Sequence, residues 1–505
     1  VTTEHAESSS EQFQVRADKR QRMLDAGKDP YPAELPITTT VSAIRAEYGN
    51  LEAGEEREDV VVGIAGRVML LRGSGKLSFV TLQDGSGERI QVMLSQAVVG
   101  EDELASFKAD ADLGDHIFFE GHVGASRRGE LSIFAHRWQM AAKALRPLPK
   151  TYTNAEGEET GLSEENRVRM RHLDLIMRPA AREMIRTRAA VMRSLRSNFE
   201  RRGYLEIETP TLQAVYGGAA ARPFTTHINA YDEDLYLRIA TELYLKRAVV
   251  GGVDKVYEIG KNFRNEGADS THSPEFTALE AYESYGTYDT MAELTQDLVQ
   301  QAAMDAFGSH VVTLADGTDY DLGGTWSALD LYGSLSEAVG QEVTVETSRE
   351  DLQKLADSHG IAIAPYAVAG KIAEEIWEEL VGSKLWAPTF VRDFPEDTSP
   401  LTRQHRSKPG LTEKWDLYIR GVETATAYTE LADPVIQRER FVQQSLEAAG
   451  GDPEAMILDE EFLQAMEQGF PPAGGMGMGI DRLLQALTGY GIRETIAFPF
   501  VRRRG

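Results

Sequence analysis

The sequence predicts a multidomain α+β protein: a small N-terminal β-barrel followed by a larger antiparallel sheet flanked by helices. Two observations carry this. Five short strand-like runs fall within residues 60–149, a density that suits a small closed barrel. Beyond Leu162, strand-like runs are grouped between helices without regular strand–helix alternation, which argues for an antiparallel rather than a parallel sheet. A length of 505 residues gives room for more than one domain, and an apolar content of 42% is ordinary for a globular chain.

Residues 1–59 read as a polar extension. Helix character runs over residues 11–26, where Phe13, Val15, Met23 and Leu24 make no clean stripe, and Gly27 with the Pro30-Tyr31-Pro32 turn ends it. Residues 60–149 read as all-β. The first strand, 60–71, carries Gly63 and Gly66 where a tight barrel must bend. Runs 77–83 and 88–94 make a hairpin across the glycine-rich turn at Asp84, and runs 116–123 and 130–135 complete a Greek-key barrel of the OB type. Pro147 and Pro149 form a stiff exit. In residues 150–505, Ile185, Ala189, Met192, Leu195 and Phe199 fall at helical spacing over 181–202. Gly203 stops this helix, and 204–210 is extended up to Pro210. Runs 235–239, 255–259, 276–282, 415–419 and 424–431 supply the sheet.

Composition excludes several classes. With no cysteine there is no disulfide, thiolate zinc site or cysteine nucleophile. No apolar run approaches the roughly 20 residues that span a bilayer, so no membrane association is expected. The start, Val1-Thr-Thr-Glu4, has no basic region before an apolar core and predicts no secretion signal. Together these fit a cytoplasmic location. The net charge of −27 argues at first against a nucleic-acid partner, but binding needs only a local basic surface. Candidates are Arg16, Lys19, Arg20 and Arg22, then Arg72 and Lys76, then Arg127 and Arg128. The plain alternative for each is a solvated face.

The stretch Gly260-Lys-Asn-Phe-Arg264-Asn-Glu266-Gly267, continuing through His272, Phe276 and Glu280, concentrates residue types that suit a nucleotide. Cations meet phosphate, a ring meets a base, and carboxylates meet amines or metal. Far downstream, Gly475-Met-Gly477-Met-Gly479-Ile-Asp-Arg482 supplies a second arginine on a glycine-rich helix start, whose positive end would point inward. A dinucleotide fold is disfavoured, because no strand–helix–strand context precedes these glycines. Taken alone, Arg264 to Gly267 would read as a surface turn with an ion pair and Phe276 as a core aromatic. The stripe Ile480, Leu483, Leu484 and Leu487 is structural.

At Arg264, Glu266, Phe276 and Arg482 the chain resembles the class II aminoacyl-tRNA synthetases, whose fold is an antiparallel sheet flanked by helices. The helix and extended segment over 181–210 resemble the first motif of that class, a dimer element. The N-terminal barrel places the chain near the lysyl, aspartyl and asparaginyl branch. Tyr216-Gly217-Gly218-Ala-Ala-Ala-Arg222-Pro223-Phe224 and Glu242-Leu-Tyr-Leu-Lys246-Arg247 are similar to bacterial lysyl-tRNA synthetases. The similarity extends from Gln12 to Arg502.

The resemblance implies ATP-dependent activation of L-lysine to lysyl-adenylate and transfer to the 3′ end of tRNA(Lys), by a homodimer. It assigns Arg264 to the α-phosphate and the lysine carboxylate, where a guanidinium holds two oxygens at once. Arg482 goes to the γ-phosphate, and these two arginines are the catalytic pair. Glu266 accepts from the adenine amino group, His272 lies near the γ-phosphate, Phe276 stacks on adenine, and Gly479 lines the ATP site. Asp416 and Glu423 match the ligands of Mg2+, for which hard oxygen donors are suited. Asp416 is one methylene shorter than the glutamate often found there. Glu280, Tyr282 and Glu430 match the ε-ammonium ligands, Tyr428 the wall along the alkyl chain, and Glu242 with the Gly218 carbonyl the α-amino site. Such a pocket rejects neutral side chains by orders of magnitude. An aspartate-using enzyme would need a cation where two carboxylates stand.

Two departures stand out. Thr426 replaces an asparagine that helps hold the substrate carboxylate in many members, and Thr241 replaces a usual proline. They leave room for a paralogue that activates a lysine analogue. A non-enzymatic RNA-binding paralogue would be expected to lose the arginines or the acidic pocket, and both are present. Fused enzymes for membrane-lipid lysylation need transmembrane helices, for which no apolar run is present. In the barrel, Phe79 and Gln91 match residues that stack on and read anticodon bases, with Arg72 on the same face and Glu130 contributing. Such stacking is worth roughly 1–3 kcal/mol per base. A core role is the plain alternative for Phe79.

Overall fold

The computed structural model describes residues 2–149, 152–153, 159–269, 271–449 and 456–502. The domain boundary expected between Pro149 and Lys150 adjoins a residue outside that set. The chain forms two compact units, Val1–Arg182 and Glu183–Gly505.

The first unit opens with helix α1, Thr2–Asp25, and a short helix α2, Val41–Tyr48. Gly27, at φ 70°, provides the left-handed turn after α1. Five strands then close a barrel: β1 Glu56–Ser74, β2 Leu77–Gln83, β3 Arg89–Ser95, β4 His116–Ala125 and β5 Leu131–Ala142, in the order β1-β2-β3-β5-β4. Alternation decides which side chains fill it. Val80, Leu82, Ile90, Val92 and Leu94 point in, and the residues between them point out. At Gly66 a Cβ would lie 2.6 Å from the Gln83 carbonyl oxygen, so the crossing of β1 over β2 requires glycine.

The all-β expectation for this region fails between β3 and β4. Two helices stand there, α3 Gln96–Val99 and α4 Glu101–Asp110. α4 begins with three acids in its first turn, which suit a helix N-terminus. It buries Leu104 and Phe107, and Phe107 meets the Trp138 ring edge-on at 5.2 Å.

The second unit is built on an eight-stranded sheet. Its strands are β6 Leu205–Glu206, β7 Lys255–Phe263, β8 Glu275–Ser284, β9 Ser327–Asp330, β10 Thr389–Arg392, β11 Lys414–Ile419, β12 Val422–Thr429 and β13 Ala473–Gly479, in the order β9-β10-β11-β12-β13-β8-β7-β6. The five inner pairings, from β10/β11 to β8/β7, are antiparallel, and only the edge pairs β9/β10 and β7/β6 are parallel. Helices α5 Pro179–Arg201, α6 Glu242–Val250, α7 Tyr288–Phe307 and α8 Ile480–Thr488 flank it. One face of the sheet is apolar. Leu279, Ala281, Trp415, Leu417, Ala425, Ala427, Met476 and Met478 share a core with Val191, Leu195 and Phe199 of α5 and Leu483 and Leu487 of α8.

Two expectations are corrected here. The run 235–239 contributes to a separate three-stranded sheet, where Glu233–Leu237 pairs with Phe224–Ile228 and Leu212–Gln213. The glycines 475–479, read as a helix start, form strand β13, and the helix begins after them at Ile480. Alternation explains the strand: Met476 and Met478 fill the core, so the glycines fall on the opposite face.

Candidate functional site

The polar face of the sheet holds a cleft whose floor is glycine. Pairing places Gly475 between Tyr282 and Tyr428, Gly477 between Glu280 and Thr426, and Gly479 beside Ala278. With no side chains on β13, Tyr282 and Glu280 form one wall, and Tyr428 and Thr426 the other. The fit is tightest at Gly475, where a Cβ would lie 2.1 Å from Glu430 Oε1 and 2.4 Å from Tyr282 Cε1.

One end of the cleft is acidic. Glu280 on β8, Glu430 just past β12 and Glu242 at the start of α6 are all buried. The Thr241 N–H donates to Glu280 Oε1 at 3.0 Å, and the Tyr282 hydroxyl donates to the other oxygen at 3.4 Å. Gly218 takes φ 84°, and a Cβ there would meet Glu242 Cβ at 3.0 Å, so only glycine brings its backbone this close. Lys246 lies one turn along α6. Its Nζ is 2.6 Å from Glu242 Oε1 and 2.5 Å from Glu430 Oε2. Burial, then repulsion from Glu242, pushes Glu280 up to about 7. Burial also pushes Glu430 upward, against the pull of Lys246. Burial works against the charge on Lys246, but Glu242 and Glu430 outweigh it and hold the ammonium above its ordinary range.

The other end is cationic. Arg264 follows β7, and its guanidinium lies 5.1 Å from the centroid of the half-buried Phe276 ring. Its buried Nε has no hydrogen-bond partner among the described residues. Burial lowers its pKa, and Glu266, Glu423 and Glu280 act against that while Arg482 adds to it. Arg482, in the first turn of α8, donates to the Glu423 carbonyl at 2.8 Å, and its guanidinium is 3.9 Å from the Glu423 carboxylate. The preceding Asp481 accepts from the Thr277 N–H at 2.8 Å and pairs with Arg188, which fixes α8 to β8 and α5. Gly479 caps α8 and packs against the Arg482 stem. Glu266 is exposed. His272 is exposed too, with contacts to Asp269 and Thr271 on its own loop.

Asp416 sits opposite Thr426 with Oδ2 3.1 Å from Lys414 Nζ. Its buried Oδ1 has no hydrogen-bond partner among the described residues. Burial pushes its carboxyl upward, and Glu423 is close enough to add to the shift. An orphaned carboxylate oxygen beside a second, half-exposed carboxylate suits a hard divalent cation. No group of three or more acids or histidines among the described residues could hold a metal alone. Such an ion would therefore draw its remaining ligands from bound phosphate and water. The Thr426 hydroxyl donates to the Trp415 carbonyl at 3.3 Å.

In the barrel unit, Arg72 pairs directly with Phe79 across β1 and β2, and Gln91 stands one row further on β3. Phe79 is half-buried on the outer face and takes no place in the barrel core. Gln91 donates to the Ser132 hydroxyl at 2.9 Å, which donates to the Glu130 carbonyl at 2.8 Å. The basic cluster proposed on α1 is partly structural. Arg16 is buried, donating to the Leu113 and Ala144 carbonyls at 3.0 Å, and Lys19 pairs with Asp112 at 2.8 Å.

Sequence reasoning gave no role to Lys246 or Lys414. The spacing of Glu242 and Lys246 on one helix face is a readable signal for the first. Nothing local announces the contact with Glu430.

Two family models match the chain. Residues 163–502 match tRNA synthetases class II (D, K and N), and residues 62–141 match the OB-fold nucleic acid binding domain. A lysine–tRNA ligase of Kineococcus radiotolerans is 57% identical over 99% of this chain and 99% of its own length. The chain belongs to the class II lysyl-tRNA synthetases. A second lysine–tRNA ligase, from Mycolicibacterium gilvum, is also 57% identical, over 98% of this chain and 97% of its own. A lysylphosphatidylglycerol biosynthesis bifunctional protein LysX of Rhodococcus opacus is 47% identical over 98% of this chain but only 43% of its own length. No helix among the described residues is long and apolar enough to cross a membrane.

Proposed function

We propose that this protein uses ATP to activate L-lysine as lysyl-adenylate and transfers the lysyl group to the 3′ end of tRNA(Lys). The observation that carries this is a single cleft with two arginines at one end and three buried carboxylates at the other. Lysine lies between them. Its ε-ammonium meets Glu280, Tyr282 and Glu430, its alkyl chain runs along Tyr428, and its α-ammonium meets Glu242 and the Gly218 carbonyl. Its carboxylate reaches Arg264. Thr426 stands beside that carboxylate, and its hydroxyl, which donates to the Trp415 carbonyl at 3.3 Å, can turn to donate to the substrate.

The lysine carboxylate attacks the α-phosphorus of ATP and pyrophosphate departs. The terminal ribose hydroxyl of tRNA then displaces AMP from the adenylate. No protein nucleophile is required; catalysis is positioning plus charge stabilisation. Arg264 has an unsatisfied Nε and a ring beneath it, which suits a guanidinium held for the α-phosphate. Phe276 stacks on adenine, Glu266 accepts from its amino group, and Gly479 and Arg482 receive the γ-phosphate with His272 at the rim. Asp416 and Glu423 would hold Mg2+, which neutralises phosphate charge when bound.

On the barrel, Arg72, Phe79, Gln91 and Glu130 form the anticodon-reading face. Leu205 and Leu212 are 59% and 50% exposed, which supports a homodimer through this segment; Leu205→Glu is expected to shift the light-scattering mass toward monomer. The cytoplasm is where such an enzyme meets its tRNA. Purified protein given ATP, labelled lysine and tRNA(Lys) is expected to form acid-precipitable lysyl-tRNA. A protein that binds this tRNA but never charges it would instead be a non-enzymatic paralogue.

A further inference from the structure

The acidic end of the cleft contains a cation of its own. Lys246 is 1% exposed, and its two carboxylate partners belong to different elements: Glu242 on its own helix and Glu430 beyond β12. Tyr282 and Glu280 approach from β8, with the Lys246 ammonium 5.9 Å from the Tyr282 ring centroid, and Tyr428 from β12. The two oxygens of Glu430 are in different situations. Oε2 lies 2.5 Å from the Lys246 ammonium and Oε1 faces the glycine floor, and neither has an aligned hydrogen bond among the described residues.

We infer that Lys246 is a positioning residue for lysine recognition, an internal ammonium that holds Glu242 and Glu430 in place and sets the charge of the pocket to match its substrate. Once all three carboxylates are ionised, they and one ammonium leave two negative charges, and a bound lysine brings two ammonium groups. The third charge of lysine, its carboxylate, is met by Arg264. Without Lys246, three buried carboxylates would face one another with no fixed counter-ion. Their ionisation, already delayed by burial, would move to still higher pH, and at neutral pH they would lose their grip on an ammonium. Lys246 therefore acts through its partners and leaves Glu430 Oε1 free for the substrate. The inference rests on the lysine-activating reading above.

The test is lysine-dependent ATP–pyrophosphate exchange by full-length Lys246→Met from pH 6.5 to 9. The lysine KM at pH 7 is expected to rise at least about tenfold with the ATP KM little changed. It should recover as pH rises, because the carboxylates ionise again. Glu430→Gln combined with Lys246→Met should lose less than the product of the two single losses. A KM rise equal at every pH, a parallel rise for ATP, or strict multiplicativity would overturn the inference. If Lys246→Met does not fold, Lys246→Arg carries the test: it keeps the charge and must keep the wild-type shape of the pH profile, and a shifted profile overturns the idea. Absence of exchange by the wild-type protein would strike the functional reading instead, whereas an active wild type with an unaltered Lys246→Met strikes this inference alone.

Discussion

Gly475→Ala is the smallest change that reaches the lysine end of the cleft. Its Cβ would stand 2.1 Å from Glu430 Oε1 and 2.4 Å from Tyr282 Cε1, where ordinary contact begins at 3.4 Å. Both side chains must retreat by about 1 Å, and both are buried with little room to do so. Overpacking of this kind costs about 1–3 kcal/mol, which corresponds to roughly 5- to 150-fold in an equilibrium constant. Because the displaced groups are the proposed ammonium ligands, the cost should appear in the lysine KM. The assay is pyrophosphate exchange with lysine and ATP varied separately. The lysine KM should rise within that range and the ATP KM should stay near wild type. Gly477→Ala is the control for stability: its Cβ would meet Glu280 and Thr426 only at 3.8 Å, so the melting temperature should hold while that of Gly475→Ala falls. A Gly475→Ala enzyme with unchanged lysine KM, or with lysine and ATP affected equally, would refute the reasoning.

Other outcomes follow from the same geometry. Arg264→Ala should lower exchange kcat by at least about a hundredfold without unfolding the protein, as circular dichroism would check. With Glu280 pushed up to about 7, its ionised fraction rises between pH 6 and pH 8. Only the ionised form holds an ammonium, so the lysine KM should fall about tenfold over that range while the ATP KM stays level; a flat lysine profile contradicts the assignment. Phe79→Ala should raise the tRNA KM in charging by roughly 5- to 150-fold if one stacked base is lost, leaving tRNA-independent exchange untouched.

Much of the architecture was legible because alternation is a strong signal. Val80, Leu82, Ile90 and Val92 alternate with outward residues, and the barrel follows. α4 was missed because it buries only Leu104, Phe107 and Asp110, too few to mark a helix in ten residues. The glycine run was misread for a different reason. Glycine is a poor strand former, and only the sheet around β13 makes its bare surface useful. In the site, the resemblance assigned roles to Glu430 and Asp416 but none to the lysines beside them. Lys246 acts on Glu430, which folding brings near, whereas Lys414 and Asp416 stand two apart on β11 and meet because alternation puts them on one face. Thr241 was notable as a departure from proline, yet its meaning lies in its N–H, which donates to Glu280 and which proline lacks.

The central claim is that this cleft selects lysine and joins it to AMP. ATP–pyrophosphate exchange by the purified protein, screened over the standard amino acids and lysine analogues without tRNA, tests it most directly. Exchange driven by lysine, with aspartate, asparagine and neutral amino acids at background, is the predicted result. Exchange driven better by another amino acid or analogue, or by none, would contradict it.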